Sequence, residues 1–529
     1  MRMNAHSSFL LLFVCAAPVV IVLPLVHAAE SLHPSSFETW PTATPEEVGI
    51  DSVPLAEMFD FVRERQIPVH SIQLVRRGRL VLDAYFYPYD GRTRHDVASV
   101  TKSVTSTLVG LAIERGHIRD VQQPVLGFFP GRTTAELDAR KRQQTLEHLL
   151  TMQSGWDCGV PLGTPSINAD RQLAEMRRRN DWAQFALDLP MTSKPGTRFL
   201  YCNANCHLLS VLLTRVTGTN ALAFARRELF EPLGIRDTAW PADPQGNNYG
   251  WGDLQLHPRD MARLGQLFLQ RGRRAGRQII PEAWLRSATR AHVEHTGGKD
   301  RYGYYWWVSA ELPGLFEAVG RGGQRITVWP AKELVLVYTG GGFDPGDIAP
   351  FILKSLNAVS TNKPGDQPLP TNPAANARLR DKLAAVARPP APQPEPQLPA
   401  MAARISGKTY TLTANELDIA TLTLQFEKPS ETAVHFTRLG QELRCSVGLD
   451  GVERFSSDTL VELPFACKGR WLTADTFLLE LDRVAGISLY HFKLTFGDEG
   501  KSVTIALSER TGLGMQVFSG KIKNETKTE

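Results

Sequence analysis

A serine with a lysine three residues later, Ser99-Val100-Thr101-Lys102, stands immediately before the run SVTSTLVGLAIERG. On a helix, residues i and i+3 share one face, so the Lys102 amine would lie beside the Ser99 hydroxyl. A serine hydroxyl is a good nucleophile only when a base takes its proton, which Lys102 can do if burial or neighbouring cations keep its amine neutral. A serine at a helix N-terminus also leaves its backbone N–H free to bind an oxyanion. The pattern predicts a nucleophile with its base one turn away.

A second stretch, about a hundred residues further on, supplies a candidate proton relay. In PGTRFLYCNANCHLLSVLL, Tyr201 and Asn203 stand just before a predicted helix. A phenol can relay a proton between a serine and a leaving group, and an amide can hold the lysine or the substrate. The Ser-x-x-Lys pattern alone is weak, because residues 360–363 (STNK) match it too. Tyr201, with the stretches LLTMQSGW and YGYYWW, favours Ser99.

Length and composition describe a globular protein of more than one domain. The chain has 529 residues, of which 42% are hydrophobic and 22% charged, and this suits a large buried core. Its formal charge of +4 comes from 59 basic and 55 acidic residues that are intermixed along the chain. Short basic clusters such as residues 177–179 are interpreted as solvated helix faces, so no nucleic-acid partner is expected.

Residues 1–29 have the order of a secretory signal peptide. MRMNAHSS carries positive charge, FLLLFVCAAPVVIVLPLV is apolar, and VHAA offers small residues for cleavage near Ala28 or Ala29. The apolar run of about 18 residues is also long enough for an uncleaved anchor, although Pro18 and Pro24 favour cleavage. We expect an exported chain, periplasmic or secreted, whose only membrane contact is through this segment if it is uncleaved.

Export makes the five cysteines after the signal segment disulfide candidates before metal ligands. Cys445 and Cys467 lie in a β-rich region whose strands could bring them together. Among Cys158, Cys202 and Cys206, the count allows one pair and one free thiol. A zinc site on these three would lack a fourth ligand, so no metal is expected.

A proline-rich segment divides the chain. Ten of the 35 prolines fall in residues 361–402, which predicts a semi-rigid linker with one short helix at AANARLRDKLAAVA. Residues 403–525 follow as short alternating runs such as TAVHFTR and KSVTIALSE. They predict an accessory antiparallel β-barrel or sandwich without a titratable constellation.

The domain before the linker, residues 38–360, has strands at both ends and helices in the middle. SIQLVRRGRLVLDAYFY predicts an early hairpin, helices dominate from about residue 97 to residue 269, and strands return in YGYYWWVSA, RITVWP and ELVLVYTGG. This order predicts an α+β fold, in which an antiparallel sheet is built from both ends of the catalytic domain around an inserted helical subdomain.

Seven stretches between about residues 45 and 360 match one family in order: HDVASVTKSVTSTLVGLAIERGHI, TLEHLLTMQSGWDC, PGTRFLYCNANCHLLS, LFEPLGI, PRDMARLGQLFL, RYGYYWWV and GGQRITVWPAKELVLVYTGG. The chain resembles the serine β-lactamase and penicillin-binding-protein superfamily, in the class C-like branch that also holds esterases and 6-aminohexanoate-dimer hydrolases. The resemblance implies that Ser99 is the acylated nucleophile, Lys102 its activating partner and Tyr201 the catalytic tyrosine, with Asn203 completing the Tyr-x-Asn motif. The C-terminal domain resembles accessory barrels of some members.

The family's third motif, Lys-Thr-Gly or His-x-Gly on a strand, has two candidates here. Residues 295–297 (HTG) match by letters but precede the aromatic strand YGYYWW, whereas the family order puts the motif after it. We prefer Ala318-Val319-Gly320, followed by Arg321 and Gly322. Its glycines let backbone approach the substrate closely, and the N–H near Arg321 would complete an oxyanion hole with that of Ser99.

At the preferred site, Ala318 replaces the usual cation. A charge-assisted hydrogen bond to a substrate carboxylate, about 1.5–3 kcal/mol, is then lost. This argues against efficient turnover of β-lactams or D-alanyl peptides and leaves room for neutral esters or amides, unless Arg321 restores the charge from its neighbouring position.

The resemblance also implies a Cys158–Cys202 disulfide near the active-site mouth with Cys206 free, and Cys158–Cys206 is the alternative. The predicted function is an exported serine hydrolase that cleaves an ester or amide bond of a small-molecule ester, amide or peptide-like substrate through an acyl-enzyme, without metal or organic cofactor. Two alternatives remain: a β-lactamase or D-Ala-D-Ala carboxypeptidase, and a catalytically silent penicillin-recognising or cell-wall-binding protein. No Gly-x-Ser-x-Gly elbow is present, which disfavours an α/β-hydrolase. The sequence does not set the oligomeric state.

Overall fold

The structure is a computed structural model. It describes residues 40–134, 139–158, 171–294, 300–357, 368–415, 417–460, 463–512 and 515–522. The predicted signal segment at 1–29, the HTG letters at 295–297 and the STNK match at 360–363 lie outside these residues.

An antiparallel sheet of eight strands forms the centre of the N-terminal domain, in the order β2-β1-β12-β11-β10-β9-β8-β7. The strands of this domain, with two short pairs (β3–β4 and β5–β6), are β1 (Val69–Arg76), β2 (Arg79–Tyr85), β3 (His95–Asp96), β4 (Gln255–Leu256), β5 (Arg273–Arg274), β6 (Arg277–Gln278), β7 (Val293–Glu294), β8 (Asp300–Tyr302), β9 (Trp307–Ser309), β10 (Phe316–Gly320), β11 (Gln324–Trp329) and β12 (Leu334–Gly340). Strand β1 pairs with β12, with Leu74 opposite Leu336. The sheet is therefore assembled from both ends of the domain, which confirms the prediction.

Helices cover both faces of this sheet, so every residue of β1 is buried. The helices are α1 (Ser52–Glu64), α2 (Val100–Glu114), α3 (Ala139–Arg142), α4 (Leu146–Leu150), α5 (Arg171–Arg177), α6 (Trp182–Asp188), α7 (Asn203–Thr217), α8 (Ala221–Ala225), α9 (Pro258–Leu269), α10 (Glu282–Ala288), α11 (Ala349–Asn357), α12 (Pro373–Val386) and α13 (Ala400–Ile405), of which α13 packs against the C-terminal domain instead. Helices α1, α11 and α12 share one apolar cluster with the sheet, while α9 packs on the opposite face. Helices α2 to α10 form the insertion between the two parts of the sheet.

The short helix expected inside the proline-rich segment forms as α12, and it is part of the first domain's core. Leu379 is 4% exposed and joins the cluster around α1. On the same helix, Arg378 and Lys382 both donate hydrogen bonds to Asp60 of α1. This part of the segment is therefore held against the catalytic domain by apolar burial and by two charged hydrogen bonds.

The C-terminal domain is an antiparallel barrel. Its strands are β13 (Thr409–Leu412), β14 (Ile419–Lys428), β15 (Glu431–Arg438), β16 (Gln441–Gly448), β17 (Arg454–Leu460), β18 (Leu463–Trp471), β19 (Thr476–Arg483), β20 (Leu489–Gly497), β21 (Ser502–Glu509) and β22 (Met515–Ile522). Nine strands close through a parallel contact between β16 and β18, and β17 pairs with β18 beside them. Alternate residues such as Val503, Ile505 and Leu507 point inward and form the core.

Among the described residues, no single helix has the length and apolar composition needed to cross a membrane. Helix α7 and the segment Ala221–Leu233 meet the criterion only together, and they are bent by 71° at their junction.

Candidate active site

Ser99 is the N-cap of helix α2, and it is half-buried. The residue before it, Ala98, has a φ of 46°, in the left-handed region that a side chain other than glycine rarely adopts. Both polar groups of Ala98 are fixed: its N–H donates to Asp96 Oδ1 (2.8 Å) and its carbonyl accepts from Thr101 Oγ1 (2.6 Å). The Ser99 hydroxyl makes no capping bond to the helix. It is therefore positioned by its neighbours rather than used to hold the structure.

Lys102 is the side chain that contacts the nucleophile. Its Nζ donates to Ser99 Oγ at 2.8 Å and to the carbonyl oxygen of Trp251, also at 2.8 Å. The residue is 1% exposed, and Nζ lies 4.7 Å from the centre of the Tyr201 ring. The helical spacing predicted from the sequence thus brings serine and lysine into contact, with the tyrosine ring beside them.

The loop at residues 249–254 holds this arrangement from the other side. The Gly250 carbonyl accepts from Thr105 Oγ1 (2.9 Å), the Leu254 N–H donates to Thr101 Oγ1 (3.3 Å), and the Leu254 carbonyl accepts from Val97 N (2.9 Å). Gly250 allows the approach, because a Cβ there would collide with the carbonyl oxygen of Cys206. This loop was not identified from the sequence, because its contacts use main-chain atoms. The two glycines of YGWGD are the feature of the sequence that could have indicated a close approach of the main chain.

Tyr201 and Asn203 lead into helix α7. Asn203 is the first residue of the helix and Cys202 is its N-cap. Cys202 forms a disulfide with Cys158, with the two Cα atoms 5.4 Å apart, and Cys206 is a buried free thiol. This is the pairing that the resemblance implied, and it ties the start of α7 to the segment after α4.

The strand proposed as the third motif, β10, ends against the nucleophile. A Cβ on Gly320 would lie 2.6 Å from the Val97 carbonyl oxygen and 3.1 Å from Ala98 Cβ. Ala318, on the same strand, is fully buried and presents only a methyl group. Arg321 is the first residue of the short 3₁₀ turn Arg321–Gly323, and Ser99 is the N-cap of α2. First-turn N–H groups lack partners within a helix, so the two amides can face one oxyanion.

The Arg321 side chain is engaged by the C-terminal domain. Its Nη1 donates to Thr511 Oγ1 at 2.6 Å and lies 3.9 Å from Glu509 Oε1. The charge of Arg321 is therefore balanced within the protein. A role of this side chain in restoring the charge missing at Ala318 stays a prediction.

A carboxylate not singled out from the sequence, Asp253, lies in the loop that holds Lys102. Its φ is 63°, and its Oδ2 accepts from Nη2 of Arg177 at 3.2 Å. Burial raises the pKa of the Asp253 carboxyl to about 6; Asp96 adds to the rise, and Arg177, Arg483 and Arg321 oppose it. The side chain still keeps 37% of its surface accessible. The site thus carries an accessible carboxyl group among three guanidinium groups.

The cysteine pair predicted in the C-terminal domain is not bonded. Cys445 and Cys467 are buried free thiols in the structure. The two side chains interact without forming a disulfide: Cys467 lies opposite Val447 in the pairing of β16 with β18, and the Cys445 thiol donates to the carbonyl of Arg454. Within the described ranges, no three His, Cys, Asp or Glu side chains are grouped so that they could hold a metal ion.

Comparisons with known proteins identify the family. The family model described as Beta-lactamase matches residues 56–350. A 6-aminohexanoate-dimer hydrolase of Paenarthrobacter ureafaciens is 28% identical over 290 residues, which is 51% of this chain and 72% of that protein. A beta-lactamase of Escherichia coli is 26% identical over 199 residues, 36% of this chain and 48% of that protein.

One solved structure supports the fold. A Bacillus anthracis protein named as a candidate 6-aminohexanoate-dimer hydrolase superposes with a TM-score of 0.50 at 21% identity, covering 60% of this chain and 85% of its own. The family match spans more than half of the chain and contains Ser99, Lys102, Tyr201 and the β10 strand. The chain belongs to the Beta-lactamase family and is an enzyme of its serine hydrolase class.

Proposed function

We propose that the protein hydrolyses an ester or amide bond of a small molecule through an acyl-enzyme on Ser99. One observation carries the proposal: Lys102 Nζ lies 2.8 Å from Ser99 Oγ while the Trp251 carbonyl holds the same amine from the other side. This contact gives the serine a base in a fixed orientation, as nucleophilic catalysis requires. The named activity of the Paenarthrobacter ureafaciens relative, which acts on the 6-aminohexanoate dimer, agrees with an amide or ester substrate.

In the first half-reaction, Ser99 Oγ attacks the substrate carbonyl carbon as Lys102 Nζ takes the hydroxyl proton. The negative charge that develops on the carbonyl oxygen is received by the N–H groups of Ser99 and Arg321. Tyr201, whose ring lies beside Nζ, relays a proton to the departing alcohol or amine as the bond to it breaks. In the second half-reaction, water attacks the acyl-enzyme carbonyl, its proton passes through Tyr201 and Lys102 to Ser99 Oγ as the Ser99–acyl bond breaks, and the acid leaves.

Ala318 weighs against efficient β-lactam turnover. Its buried methyl group occupies the strand position where the family usually has a cation, so a substrate carboxylate there finds no charged donor on this strand. We also propose that the protein is exported. The support is the N-terminal sequence together with the Cys158–Cys202 disulfide, which suits an oxidising compartment.

Labelling with a fluorophosphonate tests the nucleophile. We expect one adduct on the wild type by intact-mass spectrometry, none on Ser99→Ala, and p-nitrophenyl acetate turnover at least about 10³-fold lower in Ser99→Ala and about 10²–10⁴-fold lower in Lys102→Ala. Ser360→Ala removes the other serine with the same spacing and should behave as the wild type. A wild type that neither labels nor turns over the ester would support the silent-protein alternative.

A further inference from the structure

The C-terminal barrel reaches the catalytic centre through the turn that joins β19 to β20. This turn is tight: the Arg483 N–H donates to the Ser488 carbonyl at 3.2 Å, and the Gly486 N–H donates to the Arg483 carbonyl at 2.6 Å. It is buried although it is a loop, with Ala485 and Ile487 at 0% and 3% exposure. A buried loop needs partners for its main chain, and these come from the catalytic domain.

Two contacts join this turn to the segment before Ser99 and to the turn after β10. The Ala485 carbonyl accepts a hydrogen bond from the Asp96 N–H at 2.9 Å, three residues before the nucleophile. Ile487 packs against Gly322, two residues beyond the end of β10, so closely that a Cβ on Gly322 would collide with it. Because β10 and the Asp96–Ser99 segment frame the candidate oxyanion site, the turn closes one side of that frame.

Apolar packing fixes the turn in place. Val484 and Ala485 share one buried cluster with Tyr89 of the catalytic domain and with Leu463 and Ala466 of the barrel. This cluster removes apolar surface from water across the junction of the two domains, which holds them together. The turn is therefore a fixed part of the wall rather than an outside contact.

Of three arginine side chains near this wall, two lie beside a carboxylate partner and the third does not. Arg177 donates to Asp253, and Arg321 lies against Glu509. Arg483 makes no ion pair with any described residue, and its Nε is buried without a hydrogen-bond partner there. Its guanidinium acts electrostatically on both His95, four residues before Ser99, and Asp253, in the loop that holds Lys102. Because the Asp253 carboxyl acts on Arg483 only from beyond ion-pair distance, a half-buried guanidinium group here is costly unless it binds a further anion.

We propose that the barrel completes the active site: its turn at residues 483–488 forms one wall of the substrate pocket, and Arg483 binds a carboxylate group of the substrate in place of the cation that β10 lacks at Ala318. The inference rests on the proposed hydrolase function and names its substrate class, esters or amides whose acyl part ends in a carboxylate. An arginine suits this task because its planar group can donate two hydrogen bonds to one carboxylate.

Two esters that differ only in the terminal group test the proposal in the full-length protein. Mono-p-nitrophenyl glutarate carries a carboxylate where p-nitrophenyl pentanoate has a methyl group. We expect the wild type to favour the glutarate ester in kcat/KM, and Arg483→Gln to lower the ratio of the two values about tenfold or more. Arg483→Lys keeps the charge and should retain most of the preference. Arg470→Gln, an exposed arginine on β18 of the same barrel, should leave both values unchanged.

A second measurement does not depend on turnover. Isothermal titration of the Ser99→Ala variant, which cannot form the acyl-enzyme, with monomethyl glutarate should show binding, and about tenfold weaker binding should be seen when Arg483→Gln is added to Ser99→Ala. An unchanged ester ratio in Arg483→Gln, a parallel loss for both esters, an equal effect of Arg470→Gln, or no binding of monomethyl glutarate to Ser99→Ala would overturn the assignment of Arg483. Absence of turnover of both esters in the wild type, with titration behaving as expected, would instead overturn the proposed hydrolysis alone.

Discussion

The start of helix α2 and the interior of the barrel are both buried, but polar side chains surround the first and apolar side chains fill the second. Around Ser99 the buried groups are polar, and Thr101, Lys102 and Thr105 each bond a main-chain group of the loop at residues 249–254. In the barrel the inward residues are apolar, and rings such as Phe477 fill the space between strands. Hydrogen bonds are directional and fix positions, whereas apolar burial is non-directional and supplies free energy.

This difference assigns different consequences to substitutions. A change that displaces the 249–254 loop moves reacting atoms while exposing little apolar surface. A change in the barrel core removes burial while leaving the distance from Ser99 to Lys102 as it is. The two regions meet at the turn of residues 483–488 and at the buried His70–His95 pair, where a substitution should affect both stability and the site.

Phe477→Ala should have the largest effect on stability. The ring is fully buried against Trp471 (5.3 Å between ring centres) and Phe426 (5.8 Å). Its removal leaves a cavity and should lower the free energy of unfolding by about 3–5 kcal/mol, measured by urea titration. At 25 °C the folded variant should label with fluorophosphonate at the wild-type rate.

A matched variant lies on the same hairpin. Leu472 is 42% exposed, so Leu472→Ala should change the free energy of unfolding by about 0.5 kcal/mol or less. If Phe477→Ala slowed labelling of Ser99 by a factor that matches its loss of stability, the barrel core would control the catalytic site. This would contradict the independence expected of a polar site and an apolar core.

The fold was predictable where the signal is local or repeats along the chain. Strict alternation in stretches such as residues 502–509 predicts barrel strands because successive side chains alternate between two faces. Strands at both ends of the first domain predict its sheet. The docking of α12 on α1 was not predictable, because a proline-rich composition indicates an extended linker while the burial of Leu379 depends on a partner 300 residues away.

The catalytic site was predictable where helical spacing alone brings groups together, as for Ser99 and Lys102. It was not predictable where main-chain atoms or another domain contribute. The Trp251 carbonyl that holds Lys102 carries no residue-type signal, since any residue has a carbonyl. Ala485 and Ile487 are small and apolar, and nothing in their own stretch indicates that they contact Asp96 and Gly322. The spacing of Cys445 and Cys467 did not indicate that these neighbouring thiols stay unbonded.

The His70–His95 pair should make stability fall in acid. His70 Nδ1 and His95 Nε2 lie 2.9 Å apart, and His95 Nδ1 donates to the Asp96 carbonyl at 2.7 Å. Burial lowers the pKa of His95 to about 4, with Arg483 adding to this and the Asp96 bond opposing it; burial, His95 and Arg510 lower that of His70. The unfolded chain therefore binds more protons than the folded one below about pH 6.5.

Above about pH 6.5 these rings are neutral in both the folded and the unfolded chain, so they do not lower the free energy of unfolding. As pH falls from about 6.5 towards 4, the free energy of unfolding falls, by about 3 kcal/mol for His95 alone. We expect urea titrations at pH 7.5, 6.5 and 5.5 to show a smaller decline in His95→Asn than in the wild type, since an amide can still donate to the Asp96 carbonyl. His117→Asn, which changes an exposed histidine, should keep the wild-type decline. Identical pH dependence in His95→Asn and the wild type would contradict a neutral buried pair.

Gly250→Ala should damage the catalytic site as Phe477→Ala damages the barrel core, because it displaces reacting atoms rather than removing apolar burial. The new Cβ would collide with the main-chain oxygen of Cys206 on α7, which cannot rotate away, so the 249–254 loop must shift. A displacement of about 1 Å at a catalytic group costs about 100-fold in rate. We expect kcat/KM and fluorophosphonate labelling to fall together by about that factor, because both depend on the Ser99 nucleophile that Lys102 activates.

Gly127→Ala offers the matched control, because a Cβ at Gly127 meets nothing within 4 Å. That variant should keep wild-type kcat/KM and gain slightly in stability from a less flexible unfolded chain. Wild-type labelling in Gly250→Ala would mean that Lys102 is held by α2 alone, and the contrast between a site fixed by directional bonds and a barrel fixed by burial would then rest on the helix rather than on the loop.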